Sequence, residues 1–190
     1  MSDAFSKINI LKIVTDHVST LKDFGRSKIS RSDIFIFFIL PFFLSALLVY
    51  FKVNLNNELA NLLITVFSIF AGLLFNLQIL MFDIVGKVSD VKDLPSSLVS
   101  RQSLIRRISI LESVSLNISF EILLCILGVL VLAISTLSKS LAFQILFSLV
   151  VFYIVILFAL TLAMVLKRVH ALLTDEIEIQ KRKIKNINNA

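Results

Sequence analysis

The sequence predicts an all-α membrane protein: a four-transmembrane-helix bundle with amphipathic cytoplasmic helices and both termini inside the cell. Three observations predict it. Hydrophobic residues make up 57% of the 190, mean hydropathy is +0.94 and only 17% are charged, against about 25% in soluble domains. Four apolar runs, residues 34–51, 59–85, 114–137 and 141–166, approach or exceed the ~20 residues that cross a ~30 Å hydrocarbon core. Such runs must be helical, because lipid offers free backbone groups no partner. Lysine and arginine fall six before the first run, one, five and one in the successive loops, and six after the last, which accounts for all 19. Basic loops stay inside, so both termini and the middle loop are placed in the cytoplasm.

The cytoplasmic N-terminal arm is residues 1–33. Phe5, Ile8, Leu11, Val14, Val18 and Leu21 recur at steps of three and four, the rhythm of an amphipathic helix. Gly25 suits its C-terminal stop. Two roles fit this helix: it lies in the headgroups, or it offers a docking surface to a protein. The first span, 34–51, follows too long an arm to be a cleaved secretory leader and reads as an uncleaved signal anchor. Ser32 or Asp33 suits its N-cap, and Pro41 predicts a kink.

The second span, 59–85, carries Asn61, Thr65, Ser68, Gly72, Asn76 and Asp83 on one helix face, with Gln78 as the exception. The third span, 114–137, continues a similar row through Ser113, Asn117, Glu121, Cys125, Gly128 and Ser135. Small and polar residues mark helix–helix interfaces in membranes, where they permit close approach and interhelical hydrogen bonds. These two faces are therefore expected to meet, or to surround a common axis. The expected antiparallel register pairs Asn61 with Ser135, Ser68 with Gly128, Gly72 with Cys125, Asn76 with Glu121, and Asp83 with Ser113, and a slip of one heptad fits the pattern as well. The fourth span, 141–166, has a weaker row of Gln144, Ser148, Ala159 and Ala163. The first span, with only Pro41 and Ser45, is expected to be the most exposed to lipid.

Glu121 stands out. A carboxylate inside a bilayer costs on the order of 3 kcal/mol on insertion scales and points to function by default. It is expected either to be protonated and bonded to Asn76, or to face water in a cavity. Those alternatives separate a structural role from cation conduction or proton sensing. Cys125, the one cysteine, can form no internal disulfide and reads as a small packing residue.

Two cytoplasmic segments remain. In the loop 86–113, a turn near Pro95 precedes a helix whose Leu98, Ile105 and Ile108 lie near Arg101, Arg106 and Arg107. This basic surface suits anionic lipid. Arginines beside a membrane are ordinary, so direct nucleic-acid binding is not expected. In the tail, 167–190, the fourth helix is expected to continue. Leu166, Val169, Leu173 and Ile177 keep a three-and-four rhythm, as in the stem of a homo-oligomer.

Residue chemistry argues against an enzyme. His17 and His170 are far apart, the four glycines are isolated, and no HExxH or CxxC spacing occurs. No nucleophile stands beside a base. No catalytic residue, cofactor, metal or small-molecule substrate is assigned. The outer loops, 52–58 and 138–140, are too short for an external receptor domain.

In length, four spans and cytoplasmic ends, the chain resembles the membrane subunit of the Kiwa bacterial antiphage defence system. The Ile-, Asn- and Lys-rich, Trp-free composition suits an AT-rich gene of a defence island. The resemblance implies an inner-membrane homo-oligomer, a scaffold and sensor that recruits or regulates a soluble cytoplasmic partner. It transfers no residue roles. A pore-forming effector or small ion channel, with the polar faces lining a water path, is the competing expectation. A passive membrane anchor is the third.

Overall fold

The computed structural model describes residues 9–21, 34–53, 55–89, 98–137 and 140–188, and it is helical, with no strand among them. Helix α1 is Ile10–Thr20. A π-helical turn, Phe35–Ile39, leads into α2, Leu40–Tyr50. Three long helices follow: α3 (Asn57–Ser89), α4 (Leu98–Leu137) and α5 (Leu141–Asn188).

Local chemistry sets several boundaries. Asn9 caps α1, its side chain accepting the Lys12 N–H at 3.1 Å. The π turn lies just ahead of Pro41. A proline ring pushes away the carbonyl four residues back and supplies no N–H. The helix widens there, and the Leu40 N–H bonds Phe35 O, five residues back. The irregularity expected at Pro41 is thus a π turn. Helix α2 ends where Lys52 turns left-handed at φ 57°. The Lys52 N–H then reaches Val49 O and the Val53 N–H reaches Leu48 O, both at 3.0 Å, which satisfies carbonyls the helix end would orphan. Helix α3 starts on Asn56, whose Oδ1 accepts the Leu59 N–H at 2.8 Å, with Glu58 favourably placed at the positive end of the dipole.

Three segments are long and apolar enough to cross a membrane: Asn57–Gly86, Ile105–Leu137 and Ala142–Thr174. The apolar helix Phe35–Tyr50 is shorter. The expected cytoplasmic loop 86–113 is largely helix. Residues 86–89 finish α3, and 98–113 are the start of α4, continuous with the third apolar run. No breaker stands between Leu98 and Leu137, where glycine appears only as Gly128. The expected extension of the fourth helix is present, and α5 runs to Asn188.

The helices pack as a row. The most extensive contact is α3 on α4; α4 packs on α5, α5 on α2, and α1 on α4. Among the described residues, α2 and α3 make no backbone approach, so the two ends of the row stay open. The seam between α3 and α4 is a heptad of Ala60, Phe67, Leu74 and Met81. Phe67 fills the gap left at Gly128, where an added Cβ would sit 2.7 Å from the ring. Phe67 and Phe70 also meet Phe158 of α5 edge-on, at 5.5 and 5.3 Å between centroids.

That seam corrects the expected interface. The depth is close to the expected register, since Phe67 rather than Ser68 faces Gly128. The face is different. Asn61, Thr65, Ser68, Gly72, Asn76 and Asp83 are all exposed, so Asn76 does not meet Glu121. The reason is packing. Lipid tails solvate an apolar side chain as well as a neighbouring helix does, so association rests on van der Waals fit and hydrogen bonding. A phenyl ring seated against a glycine supplies more fit than a row of small polar groups.

Candidate functional site

The polar groups of the interior gather where α1 docks on α4 and α5. Asn117 lies one turn inside the apolar run that begins at Val114. Its Oδ1 is 2.8 Å from His17 Nδ1 and 2.8 Å from Thr20 Oγ1. With an amide oxygen as acceptor, the imidazole carries its proton on Nδ1. The Thr20 hydroxyl also lies 2.7 Å from His17 O, so its one proton is shared between two acceptors. Arg168 of α5 donates from Nη2 to Thr20 O at 2.6 Å. That carbonyl belongs to the last turn of α1, where orphaned acceptors and the negative end of the helix dipole favour a cation.

His17 is fully buried. Its ring stacks on Phe120 at 3.9 Å between centroids, 8° from parallel, and meets Phe37 of the π turn edge-on at 6.4 Å. Burial pushes the imidazole down to about 4; the Asn117 bond opposes this, and the nearby Arg168 charge adds to it. Glu121, one turn beyond Asn117, is also fully buried. Among the described residues neither of its oxygens has a hydrogen-bond partner, nor have His17 Nε2, Asn117 Nδ2 and Arg168 Nη1.

The residues singled out from the sequence divide into two groups. Asn117, Glu121, Cys125 and Gly128 share the buried face of α4, whereas Ser68, Gly72 and Asn76 face outward on α3. The fold does not bring the two groups together. The polar link between α3 and α4 comes instead from Gln78, the residue off the stripe, whose Nε2 donates to Ser115 Oγ at 2.8 Å. Arg106 is exposed and Arg107 half-buried, while the Arg101 side chain lies outside the described residues. In α1 the buried side is Ile13, Val14, His17, Thr20 and Leu21; Leu11 is 76% exposed, and Phe5 and Ile8 lie outside the described residues.

His17, Thr20, Arg168 and Gln78 were missed as site residues. A signal existed for two of them. His17 sits three residues after Val14 and four before Leu21, on the apolar side of α1. Arg168 sits three residues after Val165 on the face α5 turns inward. Among the described residues, no three His, Cys, Asp or Glu side chains converge as metal ligands would. At the opposite ends of the long helices, where α3 and α5 begin and α4 finishes, Asn57, Ser135, Thr136, Gln144 and Ser148 line an open polar cleft of about 440 Å³.

Comparison with known proteins finds no matching family model, no similar curated protein and no similar solved structure.

Proposed function

We propose that the chain is a non-enzymatic subunit of the bacterial inner membrane that self-associates and relays the state of the bilayer to a soluble cytoplasmic effector, in antiphage defence. In this reading the short helix Phe35–Tyr50 supplies a fourth span by local thinning of the bilayer. The alternation of basic segments places both ends in the cytoplasm.

One observation carries the reading. The window that makes α3 a candidate span is only 11% buried, against 39% for α4 and for α5, and its exposed side carries the polar row Asn61, Thr65, Ser68, Gly72 and Asn76 among exposed Leu62, Ile69, Leu73 and Phe75. The Thr65 and Ser68 hydroxyls bond carbonyls of their own helix, Asn61 O and Ile64 O, but hydrocarbon gives the Asn61 and Asn76 amides nothing to bond, whereas α3 of a second copy offers small residues and hydrogen-bonding partners. The part of α5 beyond Thr174, up to Asn188, is the stem on which an effector would dock.

The test is the mass of the chain in lipid nanodiscs, measured with its co-purifying proteins. A defined homo-oligomer with one soluble partner is expected. Replacing Ser68, Gly72 and Asn76 together by leucine is expected to reduce it to monomer, and an unchanged mass would remove the basis of this reading. The same outward row also suits a second reading, an oligomeric pore in which it lines water. Ion flux in liposomes that is lost in the leucine variant, with no partner bound, selects the pore.

A further inference from the structure

Helix α1 packs on the bundle through Ile13, Val14 and Leu21 and makes its side-chain hydrogen bonds to it from its last turn. Ile10 and Leu11 are exposed. The specific contacts are those of His17 and Thr20 with Asn117, and of Arg168 with Thr20 O. The first of them seats the imidazole in an aromatic slot between Phe120 and Phe37.

A neutral ring fits that slot. Its Nδ1–H has an acceptor, while Nε2 is buried with no partner among the described residues. A second proton would place a charged donor at Nε2, and an unpaired charge is costly to bury. The charged groups around it do not relieve this. On α5, Arg168 has the same sign as an imidazolium. On α4, Glu121 makes no hydrogen bond to the ring. The π turn offers only Phe37. On α1 itself, Asp16 is half-buried and Lys12 exposed. The face of Phe120 returns less by cation–π attraction than desolvation removes.

We propose that α1 is a proton-released latch: neutral His17 holds it on α4 and α5, and protonation of His17 frees it and uncovers Asn117 and Phe120 of α4. The released helix has an ordinary imidazole, which titrates near 6.5, while burial pushes the docked one down to about 4. The released form therefore binds the proton and the docked form refuses it. Docking has full strength above pH 6.5 and weakens as pH falls from 6.5 towards 4. Between pH 7.5 and pH 5.5 the released-to-docked ratio is expected to rise roughly tenfold.

The proposal does not depend on oligomerisation or on a partner, and its test reads the position of α1 alone. The full chain, with Cys125→Ala, carries spin labels at the exposed positions Lys12 and Glu112 and is placed in lipid nanodiscs. At pH 7.5 a single short distance is expected. At pH 5.5 a second, longer population should appear, with the ratio of the two changed about tenfold. His17→Phe keeps an aromatic ring in the slot but cannot titrate, and should hold the short distance at both pH values. A wild-type distance that does not change down to pH 5 overturns the proposal. So does a His17→Phe chain that releases α1 with the same pH dependence as wild type.

Discussion

Helices α3 and α4 lie side by side and carry similar rows of small and polar residues, which they turn in opposite directions. On α4 the row Asn117, Glu121, Cys125 and Gly128 is buried; on α3 the row Ser68, Gly72 and Asn76 is exposed. On α2 the two buried residues are Pro41 and Ser45, and on α5 Ser148 and Thr161 are buried. The rule that small and polar residues seek protein interfaces thus describes α2, α4 and part of α5 within one chain. On α3 the same rule points outside the chain. That difference separates residues that hold the monomer together from residues available to something else.

The sharpest way to break this comparison is to enlarge one glycine from each row. At Gly128 a Cβ would lie 2.7 Å from Phe67, whereas at Gly72 nothing lies within 4 Å. Gly128→Leu should cost ~3 kcal/mol or more, since overpacking of a well-filled seam typically costs 1–3 and a leucine adds far more than one methylene. Loss of the folded fraction in a denaturant titration in mild detergent checks this. Gly72→Leu should leave that titration unchanged and alter only the mass in nanodiscs. Equal damage from both would mean that α3 is not turned outward.

The next effect is at the amides. Asn117→Leu removes the acceptor shared by His17 and Thr20 and should weaken docking of α1 by about 1–3 kcal/mol, the cost of leaving a buried polar group unpaired. Faster amide exchange in Ile10–Thr20 at neutral pH reports it. Asn76→Leu should leave α1 protected. A smaller effect is expected at Gln78, whose bond to Ser115 is worth about 0.6 kcal/mol by the average of interhelical bonds in membranes. A Gln78→Leu titration should show a loss near that size.

The smallest predicted value is itself a discriminator. Because Asn76 is exposed and Glu121 fully buried, Asn76→Leu and Glu121→Gln should act independently, with a coupling below ~0.5 kcal/mol in a double-mutant cycle. A larger coupling would restore the register in which the two residues meet.

Much of this architecture was legible in the sequence. Long apolar runs require helices that satisfy their own backbone groups, and three of the four runs lie in helices long enough to cross a membrane. The continuation of the fourth helix into the tail was readable from its unbroken rhythm, and Asn117, Glu121, Cys125 and Gly128 were readable as one face of α4. The docking of α1 was not readable. A single histidine on an apolar face says nothing about which helix will receive it, and its acceptor is 100 residues away.

The rotation of α3 was decided only by tertiary structure. Its polar row and its apolar row, Ala60, Phe67, Leu74 and Met81, run along the same helix at nearly the same spacing and about one residue apart. Periodicity shows that both rows exist and that one residue of rotation exchanges them. In water the apolar row would be driven inward by hydration alone, but in lipid that drive is absent. What remains is shape, and the ring of Phe67 against the bare backbone of Gly128 is a fit between two helices that no one-dimensional spacing contains.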